Sequence, residues 1–151
     1  MQFMTDDLVE GAKEELKRAD HSIYVTLKYT RTVDIIKNII KRLINAHDIV
    51  LLELLQHLHG KKKIKEVPGV PKKRATVVAS SLPDLKKDID FYFLLREIDV
   101  ADFTKREEYR KNVALVTTVR GKQLVVDIET VKKYFDRTVE FVDRVHGIIS
   151  P

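Results

Sequence analysis

The chain has no cysteine and no tryptophan, and only four prolines and five glycines among its 151 residues. Without cysteine there is no disulfide framework, no cysteine nucleophile and no thiolate-held zinc. That composition fits a reducing compartment, and a cytoplasmic location is expected. Asn and Gln together number six while 34% of the residues are charged, a bias of thermophile proteins that predicts such a source. The longest apolar stretch, Ile49–Leu55, is broken by Glu53 and is too short to span a bilayer, so no membrane partner is expected. Met1 to Met4 lead into Thr5-Asp6-Asp7 with neither a basic flank nor an apolar core, and no signal peptide is expected. Glycine-rich phosphate loops, GxSxG and HExxH are all missing. Ser80-Ser81 is the single serine pair, and no histidine lies near it in sequence. Neither a metal nor a cofactor is expected.

Scarcity of glycine and proline also has a positive meaning. Residues 12–59 hold neither, and these are the residues that break helices, at roughly 1 and 3 kcal/mol against Ala. Leu8, Ala12, Leu16, Ala19, Ile23 and Leu27 recur every three or four positions, predicting a helix from about 6 to 29. Thr5 suits its N-cap, with Asp6 and Asp7 favouring the positive helix end. Thr30 and Thr32 suit a fresh cap, so a second helix is predicted over about 33–59, a kinked continuous rod being the alternative. Gly60 would serve as its C′ residue. The second half of this helix is apolar almost all round (Ile44, Ile49, Val50, Leu51, Leu52, Leu54, Leu55, Leu58), which places it at the centre of a bundle or against another chain.

Pro68-Gly69-Val70-Pro71 marks a loop, after which Pro71 could open a short helix through Val78. A third long helix is predicted over about 83–98. The period then changes: Asn112–Val119 and Gln123–Val126 are rich in β-branched residues and flank Arg120-Gly121-Lys122, predicting a β-hairpin over 112–127. Asp127 caps a last helix to about His146, stopped by Gly147. The expected fold is mainly α, a single-domain up-down bundle of four to five helices with one small β-hairpin before the last helix. At this length a chain buries roughly 68–70% of its unfolded surface and needs no staple.

The net charge of +5 is concentrated in one place. Lys61, Lys62, Lys63, Lys65, Lys72, Lys73 and Arg74 face one acid, Glu66, so residues 61–74 carry +6 and the rest of the chain −1. Such a cluster can bind phosphate backbones by counterion release, or it can be a solvated connector. It lacks the interleaved aromatics that single-strand binders stack on. Nucleic acid or another polyanion is the partner these residues predict.

Three other groupings could carry chemistry. Glu53 and His57 share a helix face and could reach one metal, with His59 joining only if the helix end unwinds; dipole-favoured histidines at a helix end are the plainer reading. Arg42 and His47 could place a cation near a general base. The charged stretch Thr104–Lys111 could form a polar network with Lys28 and Arg31 at the helix junction, or be surface ion-pair lacing.

Two long antiparallel helices, a variable loop, a shorter helix and a terminal helix resemble the HEPN superfamily of four-to-five-helix bundles. The segment Ala19–Asp34 is similar to that of uncharacterised archaeal proteins of this length. The HEPN resemblance implies nucleotide or RNA binding or RNA cleavage, often by dimers, through an Arg and a His four to six residues apart. Arg42 and His47 match that spacing, although on the second helix rather than near the last, and Leu43 stands where a polar residue is usual. Arg144-Val145-His146 on the last helix is too tight. The expectation is a binding or interaction protein without catalytic residues of its own, homodimeric through helix two. The alternative is a HEPN-like nucleotide- or RNA-binding protein or ribonuclease.

Overall fold

The computed structural model describes the backbone of residues 2–151 and the side chains of residues 11–151. Helix α1 (Gln2–His21) passes into a π-helical turn (Ser22–Thr26) and a final α-turn (Leu27–Tyr29). After a break at Thr30–Thr32 come α2 (Val33–Gly60), α3 (Pro71–Ser81), a single 3₁₀ turn (Pro83–Leu85) and α4 (Lys86–Val100). Strands β1 (Phe103–Arg106), β2 (Ala114–Val119) and β3 (Lys122–Asp127) precede α5 (Ile128–Ile149). The fold is mainly α, with five helices and a small antiparallel sheet before the last helix. The side chains of the expected Thr5-Asp6-Asp7 cap, and Leu8 of the stripe, lie outside the described residues; the helix backbone already runs from Gln2.

The break before α2 is a true restart. The Thr32 hydroxyl accepts from the Ile35 N–H at 3.4 Å, and Thr32 itself is extended. Helix α1 lies antiparallel to α2, with Gly11 near Ile49 and Glu15 near Arg42. Helix α5 runs parallel to α2, since His47 stacks on Phe141 and Glu53 meets His146. Helix α4 is antiparallel to α5, joining Asp88 to Arg144 and Phe91 to Tyr134. Helix α2 is thus the axis of the bundle, and one connected core surrounds it.

That enclosure answers the expectation of a dimer through helix two. Its apolar residues are buried or half-buried within the chain. Among the described residues the well-exposed large apolar side chains are Tyr24, Val25, Tyr29, Val70, Val100 and Tyr109, none of them on α2. The apolar surface that argued for a second copy is used inside the protein. No helix among the described residues is long and apolar enough to cross a membrane.

The predicted hairpin is present and is extended by a third strand. Val119 pairs with Lys122, leaving Arg120-Gly121 as a two-residue turn with φ of 55° and 75°, the type I′ geometry that matches strand twist. Strand β1 adds to the other edge of β2, Phe103 opposite Thr117 and Arg106 opposite Ala114. Gly147 does not stop α5, which continues to Ile149; Ile148 and Ile149 pack on the core, and that burial outweighs the glycine's low helix propensity.

Candidate functional site

The basic segment is a built loop rather than a slack connector. Helix α2 runs through Gly60, and the residue that turns left-handed is Lys62, at φ 60°, not the glycine. The Lys62 N–H donates to the His59 carbonyl at 3.0 Å and the Lys63 N–H to the Leu58 carbonyl at 2.9 Å. This pair of bonds is a Schellman ending with lysine in the place glycine usually holds. Ile64 and Val67 then pack on the core. The Arg74 Nε–H donates to the Pro68 carbonyl at 2.7 Å, and Pro71 opens α3 at a position that needs no N–H donor. Arg74 is therefore spent on closing the loop. Lys61, Lys62, Lys63, Lys65, Lys72 and Lys73 are exposed, and among the described residues none forms an ion pair.

A side chain with a Cβ is disfavoured in the left-handed region, so Lys62→Gly is expected to stabilise the fold by about 0.5–1 kcal/mol. Urea denaturation of the two proteins measures this. A loss of stability would show that the lysine stem contributes packing that offsets its backbone strain.

Arg42 and His47 do not form a site. Five residues apart on an ideal helix, they point roughly 140° away from each other. Arg42 turns to α1, where its guanidinium meets Glu15 at 3.4 Å and borders an open cleft of about 410 Å³ with Lys17, Arg18, His21, Ser22 and Asn38. His47 is fully buried, stacked on Phe141 at 5.1 Å and edged by Phe91 and Tyr92. Its Nδ1–H donates to the Leu43 carbonyl at 2.8 Å. Burial, opposed by that bond and aided by Arg137, lowers its pKa from 6.5 to about 4. A general base must reach the proton it abstracts; His47 reaches no solvent, and the catalytic expectation for this pair is withdrawn.

Glu53 does not join His57 and His59. It is buried and faces His146 of α5, with Oε2 3.3 Å from Nε2. Burial raises the Glu53 pKa, against the opposing pull of His146. No third metal-ligating side chain converges there among the described residues.

The stretch 104–111 does meet the helix junction, but not as the expected network: among the described residues neither the Lys28 nor the Arg31 side chain joins it, and the contacts run through the Arg31 and Val33 backbone and Asp34. The Tyr109 N–H donates to the Arg31 carbonyl at 2.6 Å, and Glu108 Oε2 accepts from the Val33 N–H at 2.9 Å, capping α2 from outside. Lys105 lies between Asp34 and Glu108 at 3.4 and 3.6 Å. Reading the sequence missed what stands beside this junction, a cleft of about 260 Å³ between the π-turn and the start of α5. The available signal was Ser22-Ile-Tyr-Val-Thr26, whose β-branched residues crowd an α-turn.

The fold is a mainly α bundle with six exposed lysines at the 61–74 loop, and among the described residues it brings together neither Arg42 with His47 nor Glu53 with His57 and His59. No family model matches the chain, and no curated protein or solved structure is similar to it.

Proposed function

We propose that this is a non-catalytic binding protein for a polyanion, with nucleic acid the fitting class, engaged through the lysines of the 61–74 loop. The observation that carries the reading is Lys62. Stability favours glycine at its left-handed position, yet the chain has lysine there, between Lys61 and Lys63. Backbone strain tends to gather at functional positions. The loop's defined backbone adds to this, because it fixes the positions from which the lysines emerge before a ligand arrives.

A homodimer is not part of this reading, since α2 is enclosed. The nuclease form of the HEPN likeness needs an accessible His47 and is set aside with it.

Six phosphate contacts give log K against log salt a slope of about −4 for single strands and about −5 for a duplex. Lys61→Ala, Lys62→Ala and Lys63→Ala combined should reduce that slope by about 2–3. Anisotropy titration of labelled RNA and DNA at several salt concentrations measures both values. An unchanged slope and affinity in the triple variant would remove the loop from the interface.

A further inference from the structure

We infer that the cleft beside the π-turn is a second site, which binds a nucleotide of a single-stranded nucleic acid at the end of the bundle remote from the 61–74 loop. The two places are separated by the length of α2, about 40 Å at 1.5 Å per residue.

The cleft is lined by Ile23, Tyr24, Leu27, Lys28, Arg31, Ile128 and Lys132. Its floor is apolar, its rim carries three cations, and its lining includes no acid. Lys132 lies 5.5 Å from the Tyr24 ring centre and 3.4 Å from exposed Glu129. Lys28 and Arg31 have no carboxylate within ion-pair distance among the described residues. Like charges gathered around one small concavity repel, and an anion relieves them. The π-turn shapes the wall: Ile23 and Leu27 stay buried while Tyr24 and Val25 are displayed. Such turns frequently occur at functional sites.

Aromatic side chains complete the assignment. Of the five tyrosines, three are well exposed, Tyr24 at 49%, Tyr29 at 83% and Tyr109 at 75%, and all three belong to this end. Tyr109 is held there against backbone preference, at φ 67°, next but one to Glu107 at φ 50°. A bulky residue in that region is unusual, and here it is fixed by the N–H bond to Arg31 and by Glu108 on Val33. Exposed aromatics beside unpaired cations are what single-strand recognition needs, stacking for the bases and charge for the phosphates. The basic loop has the charge without the aromatics. The volume of about 260 Å³ suits a single base-sized group.

Tyrosine emission reports the event directly, because the chain has no tryptophan and base stacking quenches tyrosine. The probes are short single-stranded oligouridylate and oligothymidylate, a blunt duplex and inorganic polyphosphate, each added to the full chain. Either single strand should quench, whereas duplex and polyphosphate should bind without comparable quenching. Lys28→Ala with Arg31→Ala should weaken single-strand binding about tenfold at low salt, and Tyr24→Ser with Tyr29→Ser and Tyr109→Ser should remove most of the quenching. These side chains are on the surface, and the Arg31 carbonyl that fixes Tyr109 survives substitution; circular dichroism verifies the fold. Lys61→Ala, Lys62→Ala and Lys63→Ala should leave the quenching intact. Absence of quenching by both single strands, or quenching unaffected by the Lys28 and Arg31 changes, overturns the cleft while leaving the loop to stand on its salt slope. Full quenching in a triple-lysine variant with an unchanged slope does the reverse.

Discussion

Replacing His47 with Phe is expected to flatten the acid side of the stability curve. His47 is fully buried, and desolvation holds its pKa at about 4 against 6.5 for an unperturbed histidine. The unfolded chain therefore takes up a proton that the folded chain refuses. Its contribution is fully present above about pH 6.5, declines as the pH falls towards about 4, and is lost completely below that. At ~1.4 kcal/mol per pH unit the loss amounts to about 3 kcal/mol, a large part of the 5–15 kcal/mol typical of a domain. Phe keeps the stacking on Phe141 and the contacts with Phe91 and Tyr92. It also removes Nε2, a buried nitrogen without a hydrogen-bond partner among the described residues. The variant should lie within about 1 kcal/mol of the parent at neutral pH and gain on it steadily as the pH drops. His47→Ala, by contrast, should cost about 2–4 kcal/mol at neutral pH through the cavity it leaves. Urea denaturation at a series of pH values separates these cases. A difference between parent and Phe variant that does not change with pH would show that His47 is not the titrating group.

His47 also shows how far the sequence could be read. The spacing of Arg42 and His47 suggested paired chemistry, and the helix period alone sends them in different directions. Burial decided the outcome, and burial depends on Phe91, Tyr92 and Phe141, which come from helices distant in sequence. Features set by local physics were legible: the helix restart at Thr32, the capping of α5 by Asp127, whose carboxylate accepts from the Thr130 N–H at 2.8 Å, and the turn at Arg120-Gly121. Strand β1 was not. Three of its four residues are exposed, so it shows no alternation, and it exists because the edge of β2 offers unpaired backbone groups. Gly60 and Gly147 misled for one reason, that glycine permits a helix end without requiring it. The charge concentration at 61–74 was plain from composition, while the immobilisation of Arg74 and the strain at Lys62 belong to the folded loop. The cleft at the π-turn combines residues of that turn, of the turn after it and of the break at Arg31 with the start of α5, and Tyr109 is bonded nearby through the Arg31 carbonyl, a convergence that only the tertiary fold produces.

Asp48→Ala is expected to destabilise the protein by about 2–3 kcal/mol. Asp48, next to His47 on α2, binds both the Tyr92 hydroxyl and the Arg96 guanidinium of α4. The Tyr92 O–H donates to Oδ1 in a short bond, Arg96 Nη2 donates to Oδ2 at 3.1 Å, and Arg96 Nε donates to the Tyr92 oxygen at 2.5 Å. Each donor in this triangle meets an acceptor, and burial, with the adjacent Asp48 carboxylate, raises the Tyr92 pKa so that the phenol stays a donor. Removing Asp48 leaves a fully buried tyrosine O–H unmatched and a half-buried cation without its anion. The Asp48 and Arg96 side chains are 24% and 27% exposed, so solvent screening holds the effect below the ~3–5 kcal/mol of a wholly buried pair. Asp48→Asn keeps an acceptor for Tyr92 and should cost about 1 kcal/mol. Combining Asp48→Ala with Arg96→Met removes the stranded cation, so the double variant should be more stable than the sum of the single changes predicts, by about 1 kcal/mol or more. Denaturant unfolding of the four proteins closes this cycle. Strict additivity would mean that solvent already screens Arg96 from Asp48, and that the α2–α4 contact is held by the packing of Tyr92 alone.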